Sequence, residues 1–123
     1  MRYVILVYQD ERRVQALTRS EMEALEAEYR EFTDATRAAG VYLDGAPLRS
    51  TDTATTVRVR RGRRSVTHGP FAETKEQLGA FVLLEARDLN DALAAAARIP
   101  GARTGSVEVR PVRPTLSQEE RSA

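Results

Sequence analysis

The hydrophobic and polar positions at the start of the chain predict a strand followed by a long helix. Residues 2–8 (RYVILVY) form a nearly continuous apolar run that is too short for a helix, which predicts a buried strand. From Thr18 onward, apolar positions recur every three or four residues and share one helix face. They are Met22, Leu25, Tyr29, Phe32, Thr36 and Ala39. Ser20 and Glu23 form a predicted capping box, and Gly40 is expected to end the helix.

The middle of the chain predicts a β-hairpin. Residues 41–53 contain a short apolar piece, an Asp-Gly pair and a proline, which is typical of a brief strand and a turn. In residues 53–60 (TATTVRVR), Thr56, Arg58 and Arg60 alternate with Thr55, Val57 and Val59. Residues 61–63 (RGR) predict a tight turn, and residues 65–68 predict the return strand. The tip of this hairpin is rich in arginine.

The last third of the chain predicts two strands around a second helix. Residues 69–79 are expected to form a loop with at most one helical turn, and residues 80–86 a buried strand. Asp88 is expected to cap the second helix. Its apolar side carries Leu89, Leu93, Ala96 and Ala97. Residues 106–112 alternate valine with charged residues and predict the final strand.

This order of elements predicts an α+β fold with the ferredoxin-like βαββαβ topology and an inserted β-hairpin. Two helices would cover one face of a mostly antiparallel sheet, which leaves the other face without a cover. An uncovered apolar face predicts a homodimer that packs sheet against sheet. We assign residues 1–113 to one domain and residues 114–123 to a C-terminal tail, which has no apolar periodicity and is expected to be loose or to pack on a partner.

The composition excludes several kinds of site. The chain has 123 residues, 41% of them hydrophobic, and a net charge of +1, which suits one domain with a core. The absence of cysteine excludes a disulfide framework and a thiolate site, and the single histidine excludes a site with two imidazoles per chain. The apolar start has neither a cleavage site nor the length of a membrane span, so we expect a cytoplasmic protein without membrane contact.

Titratable side chains cluster directly after the hairpin. His68, Glu73 and Lys75 lie in a loop whose backbone a Gly-Pro pair restrains. An imidazole relays protons near pH 7, so His68 together with Asp44 or Glu73 would suit acid–base catalysis. The alternative is a solvated turn in which Phe71 fills the core. No spacing typical of a metal site is present, and we predict neither a metal nor a cofactor.

A second candidate group is formed by Tyr8, Asp10, Asp44 and Arg110. Tyr8 and Asp10 leave the first strand at its carboxyl end, and Arg110 projects opposite the valines of the last strand. A guanidinium there would hold a ligand carboxylate through two hydrogen bonds. The alternative is that Glu108 and Arg110 form a solvated strand face.

The hairpin arginines indicate another class of function. Arg58, Arg60, Arg61, Arg63 and Arg64 fall within seven residues, and a cationic β-ribbon can follow a phosphate backbone. The aromatic residues expected of an RNA-binding sheet are absent there, and the pI of 8.2 is below that of a basic domain. Nucleic-acid binding is therefore not favoured.

Five segments together resemble a known family. They are MRYVILVYQDE, GVYLDGAPL, TATTVRVRRGR, VTHGPFAETKEQLGAF and SVEVRPV. They are similar to the YCII-related proteins of the DGPF subgroup, named for an Asp-Gly-Pro-Phe motif followed by Ala-Glu-Thr-Lys-Glu. The resemblance spans about residues 1–113 and implies a dimeric α+β barrel of ferredoxin-like protomers. His68 stands where the motif has its aspartate, giving HGPF, so a role given to that aspartate does not transfer directly.

The resemblance implies two functional hypotheses. Family members are mostly uncharacterised, some of their bacterial genes lie beside extracytoplasmic-function sigma factors, and a histidine and an aspartate in a cleft led to the proposal that distant relatives are enzymes. The first hypothesis is a small-molecule cleft that performs acid–base catalysis. Its predicted residues are Tyr8, Asp44, His68 and Glu73, with Phe71, Lys75 and Arg110 as further ligand contacts. The second is a non-enzymatic accessory module for sigma-factor-dependent transcription, which would act through the arginine hairpin and the outer face of the long helix.

Overall fold

The computed structural model describes residues 1–115, in which helices lie on one face of an antiparallel sheet. The elements are, in chain order, β1 (Arg2–Gln9), α1 (Glu11–Gln15), α2 (Arg19–Ala38), β2 (Tyr42–Pro47), β3 (Thr55–Arg60), β4 (Arg63–His68), β5 (Gln77–Glu85), α3 (Leu89–Ala96) and β6 (Ser106–Pro111). Short 3-10 turns occupy Thr51–Thr53 and Pro100–Arg103. From residue 116 onward the predicted tail lies outside the described residues.

The strand order is consistent with the predicted ferredoxin-like topology. Four strands form one sheet in the order β2-β5-β1-β6, and every neighbouring pair is antiparallel. This is the ferredoxin-like order once the inserted hairpin is set aside. In the described part of the chain β3 and β4 pair with each other alone and form a separate two-stranded sheet.

The core lies between the sheet and the helices. Alternate residues of β1, among them Ile5 and Val7, point to the helix side and are almost fully buried. They pack with Leu84 of β5, Phe32 of α2 and Ile99 beyond α3. Burial of each such side chain stabilises the fold by about 1.5–3 kcal/mol. The predictions of a buried first strand and of a buried helix face at Phe32 are confirmed.

The capping box of α2 differs from the predicted one. Thr18 Oγ1 accepts a hydrogen bond from the Glu21 N–H at 3.1 Å, and the Glu21 carboxylate accepts one from the Thr18 N–H at 2.9 Å. The predicted box of Ser20 with Glu23 is wrong, because the extended residue before the helix is Thr18 and Ser20 already lies in the first turn. Glu23 instead pairs with Arg19 at 3.3 Å.

The remaining helix and turn boundaries agree with the sequence predictions in part. Asp88 caps α3 as predicted and accepts a hydrogen bond from the Asp91 N–H at 2.8 Å. The predicted apolar side of α3 is wrong except for Ala96, because Ala92 and Ala96 are buried whereas Leu89 and Leu93 are exposed. The short helix α1 was missed because none of its residues is buried. The hairpin turn is shorter than predicted, because Arg63 already belongs to β4. The turn consists of Arg61 and Gly62, whose φ values of 53° and 75° match a two-residue hairpin turn. Residues 69–76 contain no helix, and no helix within residues 1–115 is long and apolar enough to cross a membrane.

Candidate ligand-binding cleft

A cleft of about 800 Å³ opens between α2 and the β2–β5 side of the sheet. It forms because α3 packs toward β6, so α2 alone faces the other half of the sheet. Its walls are largely apolar. They include Met22, Leu25, Tyr29 and Phe32 of α2, Val14 of α1, Val7 and Val82 of the sheet, and Leu48 and Ile99 from the connecting segments.

Hydrogen bonds hold α1 against one end of the cleft. The Glu11 carboxylate accepts hydrogen bonds from the Thr51 N–H at 2.7 Å and the Thr51 hydroxyl at 2.9 Å. The Glu11 N–H donates to Gln77 Oε1 at 3.1 Å, and Gln77 Nε2 donates to the Thr74 carbonyl at 2.6 Å. These bonds join α1 to the segment after β2 and to the start of β5. The wall is therefore built by segments distant in sequence, which explains why sequence patterns did not reveal it.

A second set of hydrogen bonds, made by the Gln9 side chain, lies beside the apolar walls of the cleft. Gln9 Nε2 donates to the Gly101 carbonyl at 3.2 Å, and Gln9 Oε1 accepts a hydrogen bond from the Thr104 hydroxyl at 3.1 Å. Burial raises the pKa of Tyr29, although a backbone hydrogen bond from Gly101 acts in the opposite direction. Tyr29 is therefore a neutral phenol near pH 7, with a hydroxyl that can serve a ligand as donor or acceptor.

Charged side chains of both signs line the mouth of the cleft. Arg30, Arg37 and Arg49 contribute positive charge, and Glu26 and Asp34 contribute negative charge. The Arg37 guanidinium lies over the Tyr42 ring at 4.9 Å from its centroid, a cation–π arrangement. Because the two signs nearly balance, the cleft imposes no strong requirement on the charge of a ligand.

The predicted site residues lie outside this cleft. In the described part of the chain its lining includes none of Tyr8, Asp44, His68, Phe71, Glu73, Lys75 and Arg110. His68 is exposed at the end of β4, where it pairs with Thr55, and the loop residues Glu73 and Lys75 are exposed as well. Phe71 is 80% exposed, so the alternative in which it fills the core is wrong.

Three of the predicted residues lie on the sheet face that points away from the helices. The Tyr8 hydroxyl donates to Glu108 Oε1 at 3.3 Å. Burial, with a smaller contribution from Glu108, raises the pKa of Tyr8. Arg110 is paired with Val4 across the β1–β6 ladder, and Asp44 Oδ1 accepts a hydrogen bond from the N–H of its neighbour Gly45 at 2.8 Å.

No hydrogen bond connects His68, Glu73 and Asp44 with one another among the described residues. Their role in catalysis therefore stays a prediction. Within residues 1–115 no group of three or more histidine, aspartate or glutamate side chains is placed to hold a metal ion.

The sheet face opposite the helices has an apolar centre, referred to here as the open face. Cross-strand pairing puts four apolar side chains there. They are Val4 and Leu6 of β1 and Phe81 and Leu83 of β5, all half-buried. The described helices pack on the other face, around Ile5 and Leu84, so no described helix covers this centre.

Comparison with known proteins identifies relatives over nearly the whole chain. Residues 1–116 match the YCII-related domain. An uncharacterised protein of Rhizobium meliloti (strain 1021) is 39% identical over 118 residues, which cover 91% of this chain and 92% of that protein. A similarity of this extent implies a common fold.

Proposed function

We propose, from the premise that this chain belongs to the YCII-related domain family, that it binds a small and largely apolar organic molecule in the cleft between α2 and the sheet. The cleft of about 800 Å³ carries this proposal, because small-molecule sites typically measure about 300–1,000 Å³ and combine apolar walls with a few polar groups. We also propose that the chain belongs to the DGPF subgroup, and its HGPFAETKE segment supports this.

The polar groups of the cleft support a ligand with an oxygen-bearing end. The Tyr29 hydroxyl and the Gln9 amide lie beside the apolar wall formed by Met22 and Leu25. A carbonyl or hydroxyl group on the ligand would form a hydrogen bond with the Tyr29 phenol. The apolar part of the ligand would displace water from the apolar wall of the cleft.

The test blocks the cleft without changing the rest of the protein. Thr33 lines the cleft on α2, whereas Ala27 is exposed on the same helix and is not part of the lining. We expect the fluorescent probe 8-anilinonaphthalene-1-sulfonate, whose aromatic rings bind apolar surface, to bind the wild-type protein and the Ala27→Trp variant equally, and the Thr33→Trp variant at least about tenfold more weakly. NMR spectra of the labelled protein with fragment mixtures would then identify ligand classes. Equal probe binding by the two variants would contradict the proposal.

We propose further that the protein is a homodimer whose copies meet through their open faces. The apolar centre at Val4, Leu6, Phe81 and Leu83 supports this arrangement, because a contiguous apolar patch of a sheet is a common protein interface. Two such sheets packed face to face would form the α+β barrel that the family resemblance implies.

Acid–base catalysis is a separate prediction for His68, Glu73 and Asp44. His68 and Glu73 lie on the hairpin and the following loop, whereas Asp44 lies on β2, so a second copy or a ligand would have to bring these groups together. The test requires a ligand from the cleft screen as substrate candidate. Turnover that falls in His68→Ala, while the variant retains the wild-type melting temperature, would support the prediction, and unchanged turnover would remove His68 from the mechanism.

The second candidate function is an accessory module for extracytoplasmic-function sigma factors. The observation that favours it is the exposed arginine hairpin, formed by β3 and β4. Capture of such a sigma factor should survive His68→Ala and should fail after charge reversal of Arg61 and Arg64. Capture that is insensitive to the charge reversal would rule out this use of the hairpin.

A further inference from the structure

The arginine hairpin is almost separate from the rest of the described fold. Residues 55–68 are exposed with the exception of Thr56, and β3 and β4 pack chiefly on each other. Its base is held by the Gly69 N–H, which donates to the Ala54 carbonyl at 2.8 Å. A two-stranded hairpin is marginally stable in water by itself and gains stability when a face packs on another surface.

The two faces of the hairpin have different chemistry. The β3–β4 register puts Val57 opposite Val66 on one face, together with Val59. These three valines are 57%, 53% and 59% exposed respectively. The opposite face carries Arg58, Arg60 and Arg63. The valine face also carries one arginine, Arg64, which the register puts opposite Val59. The hairpin therefore presents a largely apolar face and a cationic face to the solvent at the same time.

The charge of the hairpin is opposite to that of the remaining chain. The hairpin holds five of the 19 basic residues and no acidic residue, which leaves 14 basic against 18 acidic side chains elsewhere, a net charge of −4. The acidic residues are densest on α2, which carries six acidic and three basic side chains. None of the five hairpin arginines forms an ion pair within residues 1–115.

We infer that the hairpin is an arm that lies across the body of a second copy of this chain. Its valine face would lie on apolar surface of that copy. The long arginine side chains of its other face would reach past the edges of the arm to acidic side chains beside it, of which α2 holds the largest group. A two-fold axis would use the contact twice, with each arm on the other body. The inference rests on the homodimer proposed above, and it adds a segment that the open faces do not include.

The charge distribution favours a second copy over other acidic partners. A hairpin of charge +5 on a body of net charge −4 gives two copies complementary surfaces without any further component. Nucleic acid would use the arginines but would leave the exposed valines in water. The arm on a second copy accounts for both faces.

Photo-crosslinking tests the contact directly. A benzoylphenylalanine residue in place of Val59 should give, on irradiation, a covalent species of twice the mass, in which mass spectrometry finds the probe joined to a peptide of the second copy. The control is the same probe in place of Leu89, an exposed residue of α3. A dimer in solution with no crosslink from position 59 beyond the control would overturn the arm and leave the open-face homodimer intact. A monomer at all concentrations would overturn both.

Charge reversal tests the electrostatic part. Arg58→Glu, Arg60→Glu and Arg63→Glu together should raise the dissociation constant of the dimer at least about tenfold in low salt. The matched control reverses Arg13, Arg98 and Arg113, which are exposed on the body and form no ion pair within residues 1–115. Equal weakening by the two sets would overturn the inference. A wild-type protein that stays monomeric, and whose hairpin binds RNA oligonucleotides or phosphatidylglycerol vesicles instead, would also overturn the inference.

Discussion

Thr18 decides where the long helix begins, although Ser20 offers the same side-chain chemistry two residues later. Both residues have an acidic residue three positions on, so the capping-box pattern fits both. The structure selects Thr18 because its backbone is extended while Ser20 is helical. Spacing alone could not distinguish them, since the choice depends on how the chain leaves α1.

The first prediction concerns this cap. Thr18→Ala should lower the free energy of unfolding by about 1 kcal/mol, because the Glu21 N–H loses its acceptor. Ser20→Ala is the matched control and should change it by no more than about 0.5 kcal/mol, since alanine is favourable within a helix. Urea denaturation followed by circular dichroism measures both variants. If Ser20→Ala lowered the free energy of unfolding more than Thr18→Ala does, Ser20 would be the capping residue.

The second prediction concerns the close approach of β2 to β5. A Cβ atom on Gly45 would lie 2.8 Å from the Phe81 carbonyl oxygen and 2.8 Å from the Tyr42 hydroxyl. Gly45→Ala should therefore cost about 3 kcal/mol, because backbone atoms cannot move aside as a side chain would. Gly79→Ala in β5 should cost much less, since its nearest neighbour would be 3.9 Å away. Thermal unfolding of the two variants tests the difference, and equal melting temperatures would argue against the packing.

At the scale of elements, the sequence predicted the helices and strands in which a periodic apolar pattern occurs together with a cap or a turn. β1 is an example, because Ile5 and Val7 mark a buried strand. For α3, Asp88 marked the start of the helix, but the leucines did not mark its buried side, which Ala92 and Ala96 form. α1 lacks a buried residue and left no pattern. The alternation of the hairpin was clear from the sequence, but the pattern does not say whether its valines are covered.

The helix N-termini lead to a prediction about pH. The backbone hydrogen bond from Thr18 lowers the pKa of Glu21, and that from Arg87 lowers the pKa of Asp91. A carboxyl group with a lowered pKa in the folded state adds stability above its unfolded pKa, and this stability is lost as the pH falls through the folded value. The double variant Glu21→Gln, Asp91→Asn should therefore show a flatter dependence of the urea midpoint on pH between about 5 and 2. A slope equal to the wild-type slope would contradict this.

The hairpin should be removable without loss of the core. Replacement of residues 57–66 by Asn-Gly keeps the Thr56–Thr67 pair at the base and supplies a two-residue turn. In dilute monomer we expect the free energy of unfolding to change by less than about 0.5 kcal/mol, because the core residues pack elsewhere. Ile5→Ala is the comparison and should cost about 3 kcal/mol. If removal of the hairpin lowered the free energy of unfolding by a similar amount, the hairpin would be shown to support the core.

At the scale of the whole molecule, the topology could be predicted but the cleft could not. The βαββαβ order specifies which strands are neighbours, so the sheet followed from the sequence. The cleft depends on how α2 lies across the sheet. Met22 and Leu25 follow the same helical periodicity as Thr36, yet the first two line the cleft and Thr36 is buried outside it. Helical periodicity identifies the inner face of a helix but not the distance to the opposite wall.

The open face gives the prediction for assembly. Leu6→Lys puts a charge at its centre and should raise the dissociation constant of the proposed homodimer about thirtyfold or more. The helical face is the control, because Leu89→Lys alters an exposed leucine of α3 and should leave the dimer unchanged. Analytical ultracentrifugation over a range of concentrations measures both. A dimer that tolerates Leu6→Lys would place the interface elsewhere.

The order β2-β5-β1-β6 leaves β2 and β6 as the two outer strands of the sheet, and each ends in proline, Pro47 and Pro111. Proline has no backbone N–H to offer a further strand, and outer strands in natural sheets often carry it for that reason. Growth of the sheet by addition of strands from other molecules is therefore hindered at both margins. The four-stranded sheet is thus better suited to associate through its faces than through its margins.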